Sequence, residues 1–178
     1  MTMTHSNTTG TDPGGGHIPR GFTALQPYLI IDRADQLRSF LLEALDGEEV
    51  MCLRDERGEI QHAAMRIGGA MLEYAQACGE WKPMPGGLHH YVPSVDDTYR
   101  RCLEAGATSI HEPRDMFYGE RSAGVVDPAG NHWYLATLVE ELDQEEIEQR
   151  QADYLATLGV DDLPEQDQDD REPGPQAR

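Results

Sequence analysis

The sequence repeats one pattern, and this repeat limits the possible folds more than any other feature. Residues 25–76 and 88–139 each begin with an apolar run, continue with a helix-like stretch and end with two strand-like runs around a turn. A repeat of about 50–60 residues indicates two copies of one supersecondary unit, each too small to bury its apolar face alone. We therefore predict an α+β fold in which two βαβββ modules form a curved mixed sheet around a shared cavity.

Hydrophobic periodicity and turn residues place the elements of module one, residues 22–77. We predict a strand over 25–31, a helix over 32–47 that ends at Gly47, a strand over 50–54, and a hairpin of 60–67 and 70–77. The pair Gly68 and Gly69 between the two hairpin strands favours a tight two-residue turn. Residues 78–87 are rich in glycine and proline, which indicates a linker between the modules.

Module two, residues 88–139, follows the same order. Its predicted elements are a strand over 88–92, a helix from Val95 to Gly106, short strands over 108–112 and 123–127, a loop over 111–122, and a strand over 132–139. Together with residues 18–21, the modules and the linker make up one predicted domain over residues 18–140.

The two ends of the chain differ from this domain in composition. Residues 1–17 contain little to bury and are predicted to be disordered. Asp143 and Glu146 have the spacing of a capping box, which predicts a C-terminal helix within 141–158. A disordered acidic tail is expected over 159–178. The last 39 residues carry 14 acidic and three basic residues, so they account for most of the net charge of −19.

Charge and cysteine content restrict the classes of partner. An acidic chain is a poor match for nucleic acid or for anionic membranes, since both require a basic face. No stretch approaches the roughly 18 apolar residues of a membrane span. The three cysteines, Cys52, Cys78 and Cys102, lack metal-ligand spacing and indicate inert thiols in a reducing compartment. We expect a cytoplasmic protein without nucleic-acid or membrane partners.

Four short segments resemble a known family. They are residues 18–22 with 27–32, His62-Ala63 followed by Arg66-Ile67-Gly68, Tyr118-Gly119-Glu120-Arg121-Ser122, and the turn with its following strand over 127–133. Their order and spacing resemble PhnB-type proteins of the glyoxalase, bleomycin-resistance and dioxygenase group, the vicinal oxygen chelate superfamily. The resemblance extends from about residue 18 to residue 148. It implies paired βαβββ modules and a homodimer, in which modules are sometimes exchanged between chains.

The resemblance also implies where a metal would bind. Enzymes of the superfamily usually hold a divalent ion with His and Glu side chains from the first and last strands of the modules. The corresponding positions here carry Gln26, Glu73, Gly87 and Tyr134, so the metal site is depleted and we expect no cofactor. If a metal binds, its candidate ligands are Glu73, Gln26, and His89 or His90, because the register of the two histidines is open.

The same positions suggest a ligand-binding face. The residues expected to line it are Gln26, Tyr28, Glu73, His89, Tyr91, His132 and Tyr134. Adjacent histidines in a strand place one ring on each face of the sheet. Glu73 lies in an otherwise apolar run, and it faces either an open cavity or the outer surface. His62 is interpreted as forming a structural hydrogen bond.

Three functional hypotheses remain open from the sequence. The first is a small-molecule-binding protein that sequesters or carries an apolar or aromatic molecule. The second is a lyase, isomerase or dioxygenase-type enzyme that uses a residual metal or Glu73 and His89 as an acid–base pair. The third is an interaction module that acts through the acidic tail.

Overall fold

The two modules have the same order of elements. A computed structural model of the chain describes residues 17–157. Module one contains β1 (Tyr28–Ile31), α1 (Ala34–Ala44), β2 (Glu48–Arg54), β3 (Ile60–Ile67) and β4 (Ala70–Gln76). Module two contains β5 (Gly87–Tyr91), α2 (Val95–Glu104), β6 (Thr108–Asp115), β7 (Glu120–Val126) and β8 (His132–Leu138), and helix α3 (Gln144–Thr157) follows.

Each module forms its own four-stranded mixed sheet. The strand orders are β1-β4-β3-β2 and β5-β8-β7-β6, so the first strand of each module pairs in parallel with the last. The remaining neighbours are antiparallel. The α+β fold class with two βαβββ modules is therefore confirmed, with two separate hydrogen-bonded sheets among the described residues.

The core lies between each helix and one face of its sheet. Helix α1 buries Leu37, Phe40 and Leu41 at the three- and four-residue spacing of an amphipathic helix. Residues of alternate strand positions pack against them: Leu29, Ile31, Ala63, Met65, Leu72 and Tyr74. In module two, Val95 and Cys102 of α2 belong to the same continuous core.

The modules contact each other through their helices and the linker. The rings of Phe40 and Trp133 lie 6.2 Å apart across the boundary. Arg101 of α2 donates to both carboxylate oxygens of Asp46, at 2.6 and 2.9 Å. This pair lowers the pKa of Asp46, but the Asp46 side chain is exposed and the ion pair contributes little stability.

The start of module one differs from the sequence prediction. The strand predicted over 25–31 begins only at Tyr28, and Leu25 is 89% exposed. The hydroxyl of Thr23 donates to the carbonyl of Leu25, so the preceding residues form a turn. Helix α1 is also shorter than predicted. Asp46, and not Gly47, adopts the left-handed conformation after it, while a side chain at Gly47 would press against a carbonyl of α1.

The predicted loop over 111–122 is wrong for most of its length. Strand β6 continues to Asp115 and β7 begins at Glu120, so only residues 116–119 connect them. The β6–β7 pairing contains two register irregularities. A bulge interrupts the alternation of side chains, which explains why the sequence pattern of this strand is obscure.

Helix α3 is attached to module two at its surface. The predicted capping box is present, because Asp143 Oδ1 accepts from the N–H of Glu146 and Glu146 Oε2 accepts from the N–H of Asp143. The helix buries none of its side chains, although Tyr154 stacks on Phe117 of the β6–β7 turn. The predictions for residues 1–16 and 158–178 lie outside the described residues.

Within residues 17–157, none of the helices combines the length and the apolar character needed to cross a membrane.

Candidate functional site

Each sheet has one face packed on its helix and one face that the helix does not cover, which we call its open face. The cross-strand register defines the open face of module one, because Tyr28 and Ala64 both lie beside Glu73. The two-residue turn of the β3–β4 hairpin fixes this register. It also places His62, two residues from Ala64, on the same face.

Glu73 is the polar centre of this face. Its side chain is 21% exposed, and its Oε1 lies 3.2 Å from His62 Nε2. Its second oxygen, Oε2, accepts a hydrogen bond of 2.8 Å from Gln26 Nε2. The ring of Tyr28 lies beside that of His62, with 5.7 Å between the ring centroids. Both oxygens of the half-buried carboxylate therefore have a polar partner next to an aromatic surface.

The orientation of Gln26 is set by its other neighbour. The N–H of Thr23 donates to Gln26 Oε1 at 3.2 Å. The amide oxygen is thus directed to the backbone, and the amide nitrogen is directed to Glu73. This assignment follows from the hydrogen-bond network, which decides the orientation of an amide group.

The open face of module two carries a row of aromatic rings. His89 lies directly opposite Tyr134 on the neighbouring strand, and Tyr91 is two residues further along. The rings of His89 and Tyr91 are 4.8 Å apart, and those of His132 and Tyr134 are 6.5 Å apart. Tyr91 is 60% exposed and Tyr134 is 41% exposed. We call His132, Tyr134, His89 and Tyr91 the aromatic row.

Glu120 lies at the Tyr91 end of the aromatic row. Its Oε1 accepts a hydrogen bond of 2.5 Å from the Tyr91 hydroxyl, and its Oε2 lies 4.0 Å from His89 Nε2. This hydrogen bond raises the pKa of Tyr91. Tyr91 therefore remains a hydrogen-bond donor at neutral pH.

His90 lies on the opposite side of β5 from His89. Burial lowers the pKa of His90, because a low-polarity environment disfavours the charged imidazole. Its Nδ1 is buried without a hydrogen-bond partner among residues 17–157. The two histidines thus separate as the strand alternation predicts, and His89 is the one on the open face.

A cavity of about 260 Å³ lies at the boundary between the modules. Both modules contribute to its mainly apolar lining: Pro27, Ile67, Ala70, Met71, Leu72, Gly87, Leu88, His89, His90 and Trp133. Of the residues predicted as ligand-binding or metal-binding, the two histidines reach it. The other predicted residues lie on the open faces.

The residues at the family's metal positions do not fit such a metal. Gly87 has no side chain and Tyr134 offers neither imidazole nor carboxylate. Gln26 directs its amide nitrogen, not its oxygen, to Glu73. Among residues 17–157, no group of three or more His, Cys, Asp or Glu side chains converges as a metal site would require. A superfamily site with His and Glu ligands from both modules is not formed by these donors.

The structure gathers the predicted site residues into two groups. Gln26, Tyr28 and Glu73 form one group, and the aromatic row forms the other. No hydrogen bond or ion pair joins the groups within the described part of the chain. Sequence reasoning missed Glu120 and the contact between His62 and Glu73. The contact between His62 and Glu73 could have been inferred from the sequence, because the register of a two-residue hairpin places His62 diagonally across from Glu73.

Known proteins show the same domain. The model for the family "Glyoxalase/Bleomycin resistance protein/Dioxygenase superfamily" matches residues 23–135. The protein Rv0887c of Mycobacterium tuberculosis, described as uncharacterized, is 36% identical over 158 residues, which cover 79% of this chain and 93% of that protein. The protein Mb0911c of Mycobacterium bovis is 36% identical over 136 residues, which cover 70% of this chain and 90% of that protein.

Solved structures share the fold at low sequence identity. TioX from Micromonospora sp. ML1 has a TM-score of 0.56 at 20% identity, covering 65% of this chain and 98% of TioX. A PhnB protein from Bacillus cereus has a TM-score of 0.53 at 13% identity, and the match covers 65% of this chain and 99% of the PhnB protein. Repeat, topology and family match agree. The chain therefore belongs to the glyoxalase, bleomycin resistance protein and dioxygenase superfamily.

Proposed function

We propose that this protein binds an apolar or aromatic small molecule on its open faces and does so without a catalytic metal. The observation that carries the proposal is the exposed aromatic row ending at a half-buried carboxylate. Large aromatic side chains bind ligands through area and ring stacking, and a few polar groups orient the ligand. The chemistry at the family's metal positions supports the metal-free part, because Gly87 and Tyr134 replace the expected ligands.

A second candidate function is metal-free acid–base catalysis. The sequence pairs Glu73 with His89, but the imidazole close to Glu73 is that of His62, at 3.2 Å. A carboxylate and an imidazole at this distance can exchange a proton with a bound substrate. The revised pair is therefore Glu73 with His62, while His89 neighbours Glu120.

A homodimer and membership of the PhnB-type branch belong to the same proposal. Leu53, Leu138 and Val139 are exposed on or beside the open faces, and a second chain covering them would enclose a ligand. The branch is supported by the segments around Glu120 and Asp127. Light scattering on the full chain tests the dimer, with a monomer mass at micromolar concentration as the contradicting result.

Calorimetric titration with 2-naphthylmethanol, a neutral aromatic probe, tests ligand binding. We expect saturable binding that weakens roughly tenfold in Tyr134→Ala, because a ring contact of this size contributes about 1–2 kcal/mol. Leu103→Ala is the matched control, since Leu103 is equally exposed but lies on α2. Equal binding by both variants, or no saturable binding by the parent protein, would contradict the proposal.

Elemental analysis separates the binding protein from a metalloenzyme. The purified chain and its Glu73→Gln variant are measured in parallel. We expect less than about 0.1 metal ions per chain in both proteins, which is the level of a trace contaminant. A stoichiometric divalent metal that is lost with Glu73→Gln would instead favour a metal-dependent enzyme.

A further inference from the structure

Glu120 differs in its surroundings from the partly buried Glu73 and the buried Asp127. Its side chain is only 13% exposed, and the basic group nearest to it is His89, at 4.0 Å. Its Oε1 accepts from Tyr91, but its Oε2 accepts no hydrogen bond from any residue of the described range 17–157. A half-buried carboxylate normally has a hydrogen-bonded or charged partner.

Two other carboxylates show what a satisfied environment looks like here. Both oxygens of Glu73 have a polar partner. Asp127 is buried and accepts four hydrogen bonds. Glu120 has one. One arginine, Arg114, lies on the same open face opposite Ser122 in register, yet it forms no ion pair with Glu120 within 4.0 Å among the described residues.

The fold holds Glu120 in this position. Gly119 precedes it with φ +85°, and a side chain there would overlap the carbonyl oxygen of Glu140. The Gly119 carbonyl accepts from the N–H groups of Val139 and Glu140. The turn is thus tied to the strand end beside it, and the carboxylate is placed against the aromatic row.

We infer that the ligand of this protein is an organic cation, whose ammonium group binds Glu120 Oε2 and whose aromatic body lies along the aromatic row. The inference rests on the proposed function and specifies its ligand class. The free oxygen supplies the acceptor and the negative charge. The exposed rings of Tyr91 and Tyr134 supply a surface for stacking, and tyrosine faces also attract cations. The hydroxyl of Tyr91 holds the carboxylate in place.

Three probes of one shape test the inference by calorimetric titration. They are 2-naphthylmethylamine, which is a cation at neutral pH, the neutral 2-naphthylmethanol, and the anionic 2-naphthoate. We expect the amine to bind about tenfold more tightly than the alcohol, the size of one hydrogen bond to a charged group. The anion is expected to bind most weakly.

Glu120→Gln keeps the shape of the side chain and removes its charge. In this variant the amine and the alcohol should bind equally. Glu59→Gln, in the exposed turn before β3, should change neither affinity. Thermal unfolding of each variant confirms that it is folded.

The outcomes separate this inference from the proposed function. If the alcohol binds as tightly as the amine to the parent protein, the cation preference is wrong but small-molecule binding stands. The inference is also wrong if Glu120→Gln retains the tenfold preference. If none of the three probes binds, the proposed function itself fails.

Discussion

The carboxylate of Asp127 offers the most quantitative test of how module two is held together. Asp127 is 4% exposed. Its Oδ1 accepts from the N–H groups of Ala129 and Asn131, at 2.8 and 3.0 Å. Its Oδ2 accepts from Asn131 Nδ2 and Trp133 Nε1, at 2.8 and 2.9 Å. One side chain therefore satisfies four donors in a turn that the core covers.

Asp127→Asn changes only the Oδ2 side of this network. The amide oxygen can still accept the two backbone N–H groups, but the new NH₂ group faces the Asn131 and Trp133 donors. Two hydrogen bonds are lost and buried donors are left without acceptors, at about 1–3 kcal/mol each. Asn131 cannot rotate without cost, because its Oδ1 accepts from the N–H of Gly86 in the linker. We expect the free energy of unfolding to fall by about 2–6 kcal/mol.

Asp55 provides the matched control. Its Oδ1 also accepts two backbone N–H groups, from Arg57 and Glu59 at 2.9 Å each. Its Oδ2 has only a long contact of 3.5 Å with Gln61. Asp55→Asn should therefore cost less than about 1 kcal/mol.

Urea unfolding followed by far-UV circular dichroism measures both variants, with an unchanged denaturant slope as the condition for comparison. If Asp127→Asn costs no more than Asp55→Asn, the buried network does not stabilise the turn and the reasoning is refuted. In a Trp133→Phe background one donor is already absent. The cost of Asp127→Asn should then fall by about 1 kcal/mol.

Two thiols, two glycines and one histidine provide three further tests. Burial raises the pKa of Cys102 to about 12, so a thiol reagent should label the exposed Cys78 in the folded protein and Cys102 only after unfolding; equal labelling by mass spectrometry would contradict this. Gly119→Ala should destabilise by about 1–3 kcal/mol more than Gly58→Ala in urea unfolding, because both have φ +85° but only Gly119 lacks space for a side chain. Because burial lowers the pKa of His90, the unfolded chain takes up a proton below pH of about 6.5 that the folded chain does not. The free energy of unfolding should then fall as pH decreases, and this pH dependence should be weaker in His90→Leu. An equally strong pH dependence in His90→Leu would contradict the reasoning.

The fold was predictable because its signals are local and occur twice. The predicted bounds of β3 in the hairpin around Gly68 and Gly69 match the structure residue for residue, because a two-residue turn fixes where both strands meet it. The helices were recognisable from their apolar spacing. The predicted strand boundaries were wrong where contacts with other parts of the chain determine where a strand begins or ends. Leu25 continues an apolar run but lies in a turn, and the length of β6 is concealed by its bulges.

The candidate site was predictable only in part. Strand alternation predicts that His89 and His90 lie on opposite faces of β5, because side chains of a strand point alternately to its two sides. It leaves open which histidine lies on the open face, and whether Glu73 faces a cavity or the outer surface. The partners of these residues depend on register and on side-chain direction. Glu120 was not recognisable as a site residue, since its place at the end of the aromatic row requires the turn at Gly119 and the beginning of β7.

The repeat also explains why the two open faces cannot be equivalent. Glu73 faces Tyr28 in module one, and Tyr134 faces His89 at the same register position in module two. A symmetric metal site needs matching ligands at both positions. Here the carboxylate of Glu73 faces the phenol of Tyr28, whereas the phenol of Tyr134 faces the imidazole of His89. The acidic group of module two lies instead on β7, at Glu120. The duplicated architecture therefore fixes where the side chains point, and the divergence at these positions gives the two open faces different chemical groups.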